Sequence, residues 1–307
     1  ETMGATTVIC TDKTGTLTQN QMRVYKIEVD CSSEEHQALA KEGIAVNSTA
    51  SLDLSDAQHP TVLGNPTEGA LLLWLHEKGY DYRQLRADVE IIDELPFSTE
   101  RKCMGTLVRS GLLPGKTILY IKGATDIIRY YCSNIMGDRS WDDITAQLLK
   151  WQNQAMRTLG FACMIIPDSS EFKLHEGVIS QILDSIKDGN NGLTFQGIVA
   201  IADPVRKEVP DAVRECLDAG IDVKIVTGDN PGTAKEIGRQ VGIWTEKDCD
   251  QCVITGPEFE ALSDKELSER VNSLKIIARA RPMDKKRLVE ALQAKHHVVA
   301  VTGDGTN

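Results

Sequence analysis

At 307 residues the chain has room for one large domain or two medium ones, each able to bury a core. Charged residues at 26% and apolar residues at 41% are ordinary globular proportions. The formal net charge of −11 argues against a broad nucleic-acid surface, whose footprint would be basic, and leaves space for a local basic pocket.

The first stretch, Thr6 to Cys10, is a short β-favouring run followed by Asp12 and a hydroxyl-rich turn, Lys13-Thr14-Gly15-Thr16-Leu17-Thr18. Met22–Asp30 alternates like a half-buried strand, and Ser33–Val46 reads as a helix capped by Ser33 with Glu35 and Glu42 on its surface. Asn47–Pro60 reads as a polar loop. A helix is expected over Thr67–His76 after the turn Gly64-Asn65-Pro66, then a strand over Glu90–Pro96 and a turn or bulge around Thr99–Lys102 within 97–108. Thr117–Ile121 is a strand, Asp126–Cys132 a helix, and Trp141–Thr158 a longer helix stopped by Gly160. Phe161–Ile166 and Leu193–Ile201 are strands flanking a helical insert near Leu174–Lys187 and a loop at Lys187–Gly192. Residues 22–202 thus make an α+β unit with a largely antiparallel sheet.

Beyond Asp203 the pattern becomes strand-then-helix: helices Val209–Ala219, Thr233–Val241, Asp264–Ser273 and Met283–Ala294 alternate with strands Val223–Thr227, Ile276–Ala280 and Val298–Thr302. This is a doubly wound α/β signature, to which the first residues add one more parallel strand. The economical architecture is a doubly wound domain made from residues 1–21 and 203–307, with the unit 22–202 inserted. No apolar run approaches the roughly 18 to 20 residues of a bilayer span, so no direct membrane insertion by this segment is expected, and no leader pattern is visible at Glu1. The eight cysteines are scattered, as reduced intracellular thiols are; Cys249 and Cys252 form a lone C-x-x-C, weak evidence for zinc without a second pair.

Carboxylates and hydroxyls recur where parallel strands end: Asp12, Thr227 with Asp229, and Asp304. Such ends share one edge of the sheet, and Lys285, with Lys286, can bring an ammonium there. An aspartate nucleophile beside a glycine-containing anion cradle points to phosphoryl transfer through an aspartyl-phosphate. Two carboxylates near a polyphosphate call for Mg²⁺ and a lysine, and the Thr227 hydroxyl can hold a phosphoryl oxygen. Each residue taken singly has a plainer use: Asp12 or Asp229 as a helix cap, the lysine pair as a solvated face. In the inserted unit Glu68, Phe97, Arg101, Lys122 and Arg157 are candidates for an ATP pocket, an aromatic face stacking on adenine and cations holding phosphates. For Phe97 taken singly, a lone Phe after Pro, core packing is the favoured reading.

The run DKTGTLTQN (12–20) resembles the phosphorylation signature of the P-type ATPases, the ion-pumping branch of the haloacid dehalogenase (HAD) superfamily. ADPVR (202–206), TGDN (227–230), ARARPMDK (278–285) and TGDG (302–305) resemble the hinge and later phosphorylation-domain motifs, and GNPTEGALL (64–72), PFSTERKCM (96–104), KGATD (122–126) and MRTLGFA (156–162) resemble nucleotide-domain motifs. KGATD ends in Asp where Glu is frequent in the family. The resemblance implies a HAD-like phosphorylation domain carrying an inserted nucleotide-binding domain. By it Asp12 is phosphorylated, Thr14 and Asp304 bind Mg²⁺, and Thr227 and Lys285 hold the phosphoryl group. It puts Phe97 on adenine, Lys122 at the pocket floor, Glu68 near the base, Arg157 on the phosphates, and Asp229 and Arg279 at the ribose. HAD phosphatases carry a second acid two residues after the nucleophile; here that place is Thr14, which implies a slowly hydrolysed phosphoenzyme.

ADPVR, TGDNPGTAKEIGRQVGI and ARARPMDKKRLVEAL are most similar to plasma-membrane-type calcium pumps. The implied whole is a membrane protein whose transmembrane and actuator domains partner this cytoplasmic portion, with ATP as substrate and no nucleic acid. Other readings are a pump for a different cation, a soluble HAD phosphatase or phosphotransferase, and a nucleotide-sensing module.

Overall fold

A computed structural model of the chain describes residues 3–56, 60–167, 173–186 and 192–303. Asp304 and most of the loop expected at Lys187–Gly192 lie outside these residues. The chain divides into two compact units, one of residues 1–21, 153–155 and 203–307, the other of 22–152 and 156–202.

The first unit is built on a five-stranded, wholly parallel sheet in the order Val253–Thr255, Ile276–Ala278, Asp222–Val226, Val8–Thr11, Val299–Thr302. Val8–Thr11 lies between Asp222–Val226 and Val299–Thr302, so both ends of the chain are needed to complete it. Helices Val209–Asp218, Pro231–Gln240, Asp264–Arg270 and Pro282–Ala294 alternate with the strands, as doubly wound sheets require. Apolar clusters form on two sides of this sheet, one around Phe259, Leu288 and Ile277, the other around Ile225, Ile237 and Trp244. Lys224 is a buried charge inside this strand pattern. Its ammonium is held by Asp222 Oδ2 at 2.7 Å and the carbonyls of Asn272 and Leu274 at 3.0 and 2.6 Å.

The second unit carries a sheet in which Arg23–Val29, Leu193–Ala202, Arg157–Ile166, Thr117–Gly123, Cys103–Arg109 and Glu90–Leu95 are successive antiparallel neighbours. Cys132–Ile135 adds a parallel strand to Leu193–Ala202. The chain is therefore a mixed α/β molecule with one parallel sheet and one separate, mainly antiparallel sheet.

Several local expectations are corrected. The long helix ends at Asn153 rather than Thr158, because Ala155 turns left-handed (φ 57°) and the Met156 N–H reaches back to the Trp151 carbonyl at 3.1 Å. Gly160 is then not a helix stop but the middle of strand Arg157–Ile166, where a Cβ would meet the Phe195 ring at 3.2 Å. The loop Asn47–Pro60 contains strand Ser51–Asp53, which pairs with Thr61–Leu63. Ser33 does cap helix Glu34–Val46, but Glu42 faces inward, only 1% exposed. Its carboxylate accepts from Ser110 Oγ, the N–H groups of Gly111 and Leu112, and the Tyr120 hydroxyl at 2.8–3.1 Å.

Candidate functional site

At the C-terminal edge of the parallel sheet, strand Val8–Thr11 delivers half-buried Asp12 into a tight turn. The Asp12 carboxylate accepts from the Lys13 N–H at 2.9 Å, and its own N–H donates to the Thr302 carbonyl at 3.2 Å. The turn Lys13–Leu17 closes when the Thr18 N–H reaches the Lys13 carbonyl, with Gly15 at φ 77°, a conformation that favours glycine. Arg206 Nη2 grips the Gly15 carbonyl at 2.9 Å. Asp203 binds the Thr18 hydroxyl at 2.5 Å and the Gln21 N–H at 3.1 Å. The ADPVR segment therefore buttresses the turn that holds Asp12 and Thr14.

Two further turns meet this one. The buried Lys13 ammonium pairs with Asp229 Oδ2 at 2.5 Å, and the Asp229 N–H donates to the Thr227 hydroxyl at 3.2 Å. Asp229 does not cap the next helix; Asn230 does, accepting from the Thr233 N–H at 3.0 Å. The turn after strand Ile276–Ala278 is stitched to the same place: Arg279 N–H donates to the Asp229 carbonyl at 2.7 Å and Ala280 N–H to the Thr227 carbonyl at 2.8 Å. Arg279 is exposed and left-handed, φ 50°. Gly256 permits the close approach, since a Cβ there would sit 2.4 Å from the Arg279 carbonyl oxygen and 2.8 Å from Asp284. Asp284 in turn accepts from the Arg281 N–H at 2.8 Å at the start of helix Pro282–Ala294, whose next residue is Lys285. Lys285 Nζ donates to the Thr302 carbonyl at 3.3 Å, the acceptor that Asp12 N–H also uses. Asp12, Thr14, Thr227, Asp229, Arg279 and Lys285 thus share one sheet edge, and the strand that leads to Asp304 ends beside Asp12.

The inserted unit gathers its own set. Lys122 and Glu68 form a buried ion pair, Nζ to Oε1 2.7 Å. Lys122 also donates to the Asn47 carbonyl, and Glu68 Oε2 accepts from the Thr49 N–H at 2.9 Å and hydroxyl at 2.7 Å. Burial pulls the Glu68 carboxyl upward, but the Lys122 ammonium and the Thr49 donors outweigh it and hold it below the usual glutamate range. Burial pulls Lys122 below the usual lysine range, with Glu68 opposing.

Exposed Arg157 donates to the hydroxyl of Thr67, the neighbour of Glu68, at 3.1 Å. Phe97 is 58% exposed, which excludes core packing as its use. It stands on the loop Pro96–Lys102 with Arg101, whose guanidinium holds the Pro96 carbonyl at 2.9 Å. That loop is tied to the turn just past Lys122 by the Ala124 N–H on the Lys102 carbonyl at 3.0 Å. Asn47 and Thr49 are not legible as site residues in the sequence, since nothing local in a polar loop marks that the Asn47 carbonyl will face a lysine 75 residues away or the Thr49 hydroxyl a glutamate 19 residues away. Asp203 and Arg206 lay within a motif already singled out, but their role as a brace needed the fold.

A family model for the P-type ATPase cytoplasmic domain N matches residues 35–208, more than half of the chain. The chain belongs to the P-type ATPases. Along its whole length this P-type ATPase segment is 36% identical to "Calcium-transporting ATPase 7, plasma membrane-type" of Oryza sativa subsp. japonica. It is 37% identical to "Calcium-transporting ATPase PAT1" of Dictyostelium discoideum and 34% to "Calcium-transporting ATPase 1" of Lactococcus lactis. It spans 30%, 28% and 34% of the lengths of these three relatives, so they are about three times as long. Among the described residues of this P-type ATPase no helix is long and apolar enough to cross a membrane.

Proposed function

We propose that this chain is the cytoplasmic catalytic portion of a calcium-transporting P-type ATPase, in which Asp12 accepts the terminal phosphoryl group of ATP. The observation that supports it most is the meeting of Asp12, Thr227 and Lys285 on one edge of a parallel sheet, with Asp12 and Lys285 sharing the Thr302 carbonyl. We read the unit of residues 1–21 and 203–307 as a HAD-like phosphorylation domain and residues 22–202 as its inserted nucleotide-binding domain.

In this reading an Asp12 carboxylate oxygen attacks the γ-phosphorus. A new O–P bond forms, the bond to the β–γ bridging oxygen breaks, and ADP leaves with that electron pair. The Thr227 hydroxyl donates to a phosphoryl oxygen, and the Lys285 ammonium neutralises charge that builds up on the transferred group. The Asp12 carboxylate and the oxygens of Thr14, with Asp304, are hard donors of the kind Mg²⁺ takes; bound there, the ion would offset the repulsion between carboxylate and phosphate. Asp229 is held by Lys13 and Arg279 by its turn, which suits both to contact the ribose. On the inserted unit Phe97 would stack on adenine, Arg101 and Arg157 would meet phosphates, and the Lys122–Glu68 pair would form the floor beneath. Thr14 in place of a second acid leaves no general base to drive rapid hydrolysis. Calcium as cargo rests on the names of the relatives, and the rest of the protein would supply the membrane path and actuator.

The test uses the full-length protein with γ-labelled ATP and Ca²⁺. Acid-stable, hydroxylamine-labile label should appear and vanish in Asp12→Asn, while Lys122→Ala should weaken a non-hydrolysable ATP analogue at least about tenfold. Label surviving in Asp12→Asn, or steady release of phosphate from small phosphomonoesters, would overturn the reading.

A further inference from the structure

Away from the Asp12 edge, the first unit carries a feature that phosphoryl transfer does not use. Cys249 and Cys252 flank a single 3₁₀ turn that leads into strand Val253–Thr255, and their Sγ atoms lie 3.9 Å apart. This is the start of a parallel strand, so the pair stands at the sheet edge opposite Asp12. The Cys252 N–H donates to the Cys249 carbonyl at 2.9 Å. A four-residue turn of this kind holds its end Cα atoms within about 7 Å, the range that a disulfide bridges.

The surrounding chain holds the turn in place. Asp248 binds the Lys275 ammonium at 3.0 Å and caps the Thr245 N–H at 2.7 Å. Asp250 pairs with Lys235 at 2.7 Å, and Arg270 donates to the Gln251 carbonyl at 3.3 Å. The Lys275 N–H fixes the Cys252 carbonyl at 2.8 Å. Both thiols are free, Cys249 exposed and Cys252 half-buried. Two sulfurs already in contact, on a turn anchored on both sides, need only side-chain rotation to bond.

We propose that Cys249 and Cys252 form a reversible dithiol–disulfide site that exchanges with small disulfides of the glutathione class. The exposed Cys249 thiolate attacks one sulfur of glutathione disulfide, forming a mixed disulfide and releasing one glutathione thiolate. Cys252 thiolate then attacks the Cys249 sulfur; the Cys249–Cys252 bond forms and the second glutathione leaves. Two electrons pass from the protein dithiol to glutathione disulfide, and the two thiol protons end on the two glutathiones. The ring that closes is very short, so little loop entropy favours the bond and it stays easily reduced.

Peptide mass mapping after incubation with glutathione disulfide and trapping with a thiol alkylator tests this. The peptide spanning 249–252 should become lighter by two hydrogens, with no alkylator and no glutathione attached, and dithiothreitol should restore it. Exposed Cys31, also a free thiol, should carry glutathione in the same sample. Cys252→Ser should stop at the mixed disulfide on Cys249, while Cys249→Ser should slow any modification of the half-buried Cys252 by about tenfold or more. Two stable, separate glutathione adducts at 249 and 252, or two thiols that remain fully alkylatable, would overturn the proposal. Protection that appears only with added Zn²⁺ and vanishes with a chelator would overturn it too, in favour of a metal site.

Discussion

Removing the Lys122 ammonium would leave the Glu68 carboxylate buried without its ion-pair partner, still accepting from the Thr49 N–H and hydroxyl. Breaking one partner of a buried pair typically costs about 3–5 kcal/mol. Lys122→Ala should therefore lower the unfolding free energy of the inserted unit by about 3 kcal/mol, read from its urea denaturation curve, separately from its effect on nucleotide. The sign with pH follows from the depressed Glu68 carboxyl. Its stabilising contribution is present above the ordinary value of 4.5 and is lost as pH falls through the lower folded value. Between about pH 5 and pH 3 the wild type should lose stability more steeply than Glu68→Gln, measured by denaturation at each pH. Glu42 makes a larger structural demand. It joins four donors, from Ser110, Gly111, Leu112 and Tyr120, and Glu42→Leu would orphan them. With each buried unsatisfied group worth about 1–3 kcal/mol, a loss of about 4 kcal/mol is expected in thermal unfolding. In sequence Glu42 looked like a surface residue, because its partners lie 68–78 positions away.

Elements with a strong period were legible, and those decided by a single backbone angle were not. The parallel strands around Asp12 and Thr227 lie within two residues of where the sequence places them, whereas helix Asp264–Arg270 ends three residues before the expected Ser273 and the short edge strand Val253–Thr255 is not among the expected elements. The helix Gly256–Ala261 is not among the elements expected from the sequence. Its signal was Thr255 three residues before Glu258, whose carboxylate takes the Thr255 N–H at 2.9 Å and hydroxyl at 2.6 Å. The C-terminus of helix Trp141–Asn153 was placed too late because Ala155 is a good helix former forced into a left-handed cap position. Glycine occupies that position at least cost, so Ala155→Gly should raise stability by about 0.5–1 kcal/mol even though glycine loses more freedom on folding. A fall in the urea midpoint would mean that something other than the backbone angle sets this cap. The candidate site shows the same division. Residues at strand ends were readable from pattern, while the braces Asp203, Arg206, Asn47 and Thr49 depend on pairings that pattern does not encode.

For the whole molecule, topology predicts which part can live alone. The inserted unit runs almost without interruption from Met22 to Ala202, and its clusters around Phe195, Leu72 and Tyr120 are made from its own residues. The other unit cannot close without the first strand, since Val8–Thr11 pairs with Asp222–Val226 on one side and Val299–Thr302 on the other. Parallel pairing of strands more than 200 residues apart carries a loop-closure cost that the insert offsets by folding locally and bringing Gln21 and Asp203 together, where they are hydrogen bonded at 3.1 Å. Residues 22–202 expressed alone should therefore give a cooperative unfolding transition and still bind a non-hydrolysable ATP analogue, more weakly than the whole chain by about tenfold for want of the contacts proposed for Asp229 and Arg279. Deleting residues 1–21 from the whole chain should abolish the transition of the parallel-sheet unit and leave that of the insert in place, which hydrogen exchange resolved along the sequence would report. If the excised insert instead unfolds, the two units are one cooperative body, and the pairing of the chain ends contributes to the stability of both.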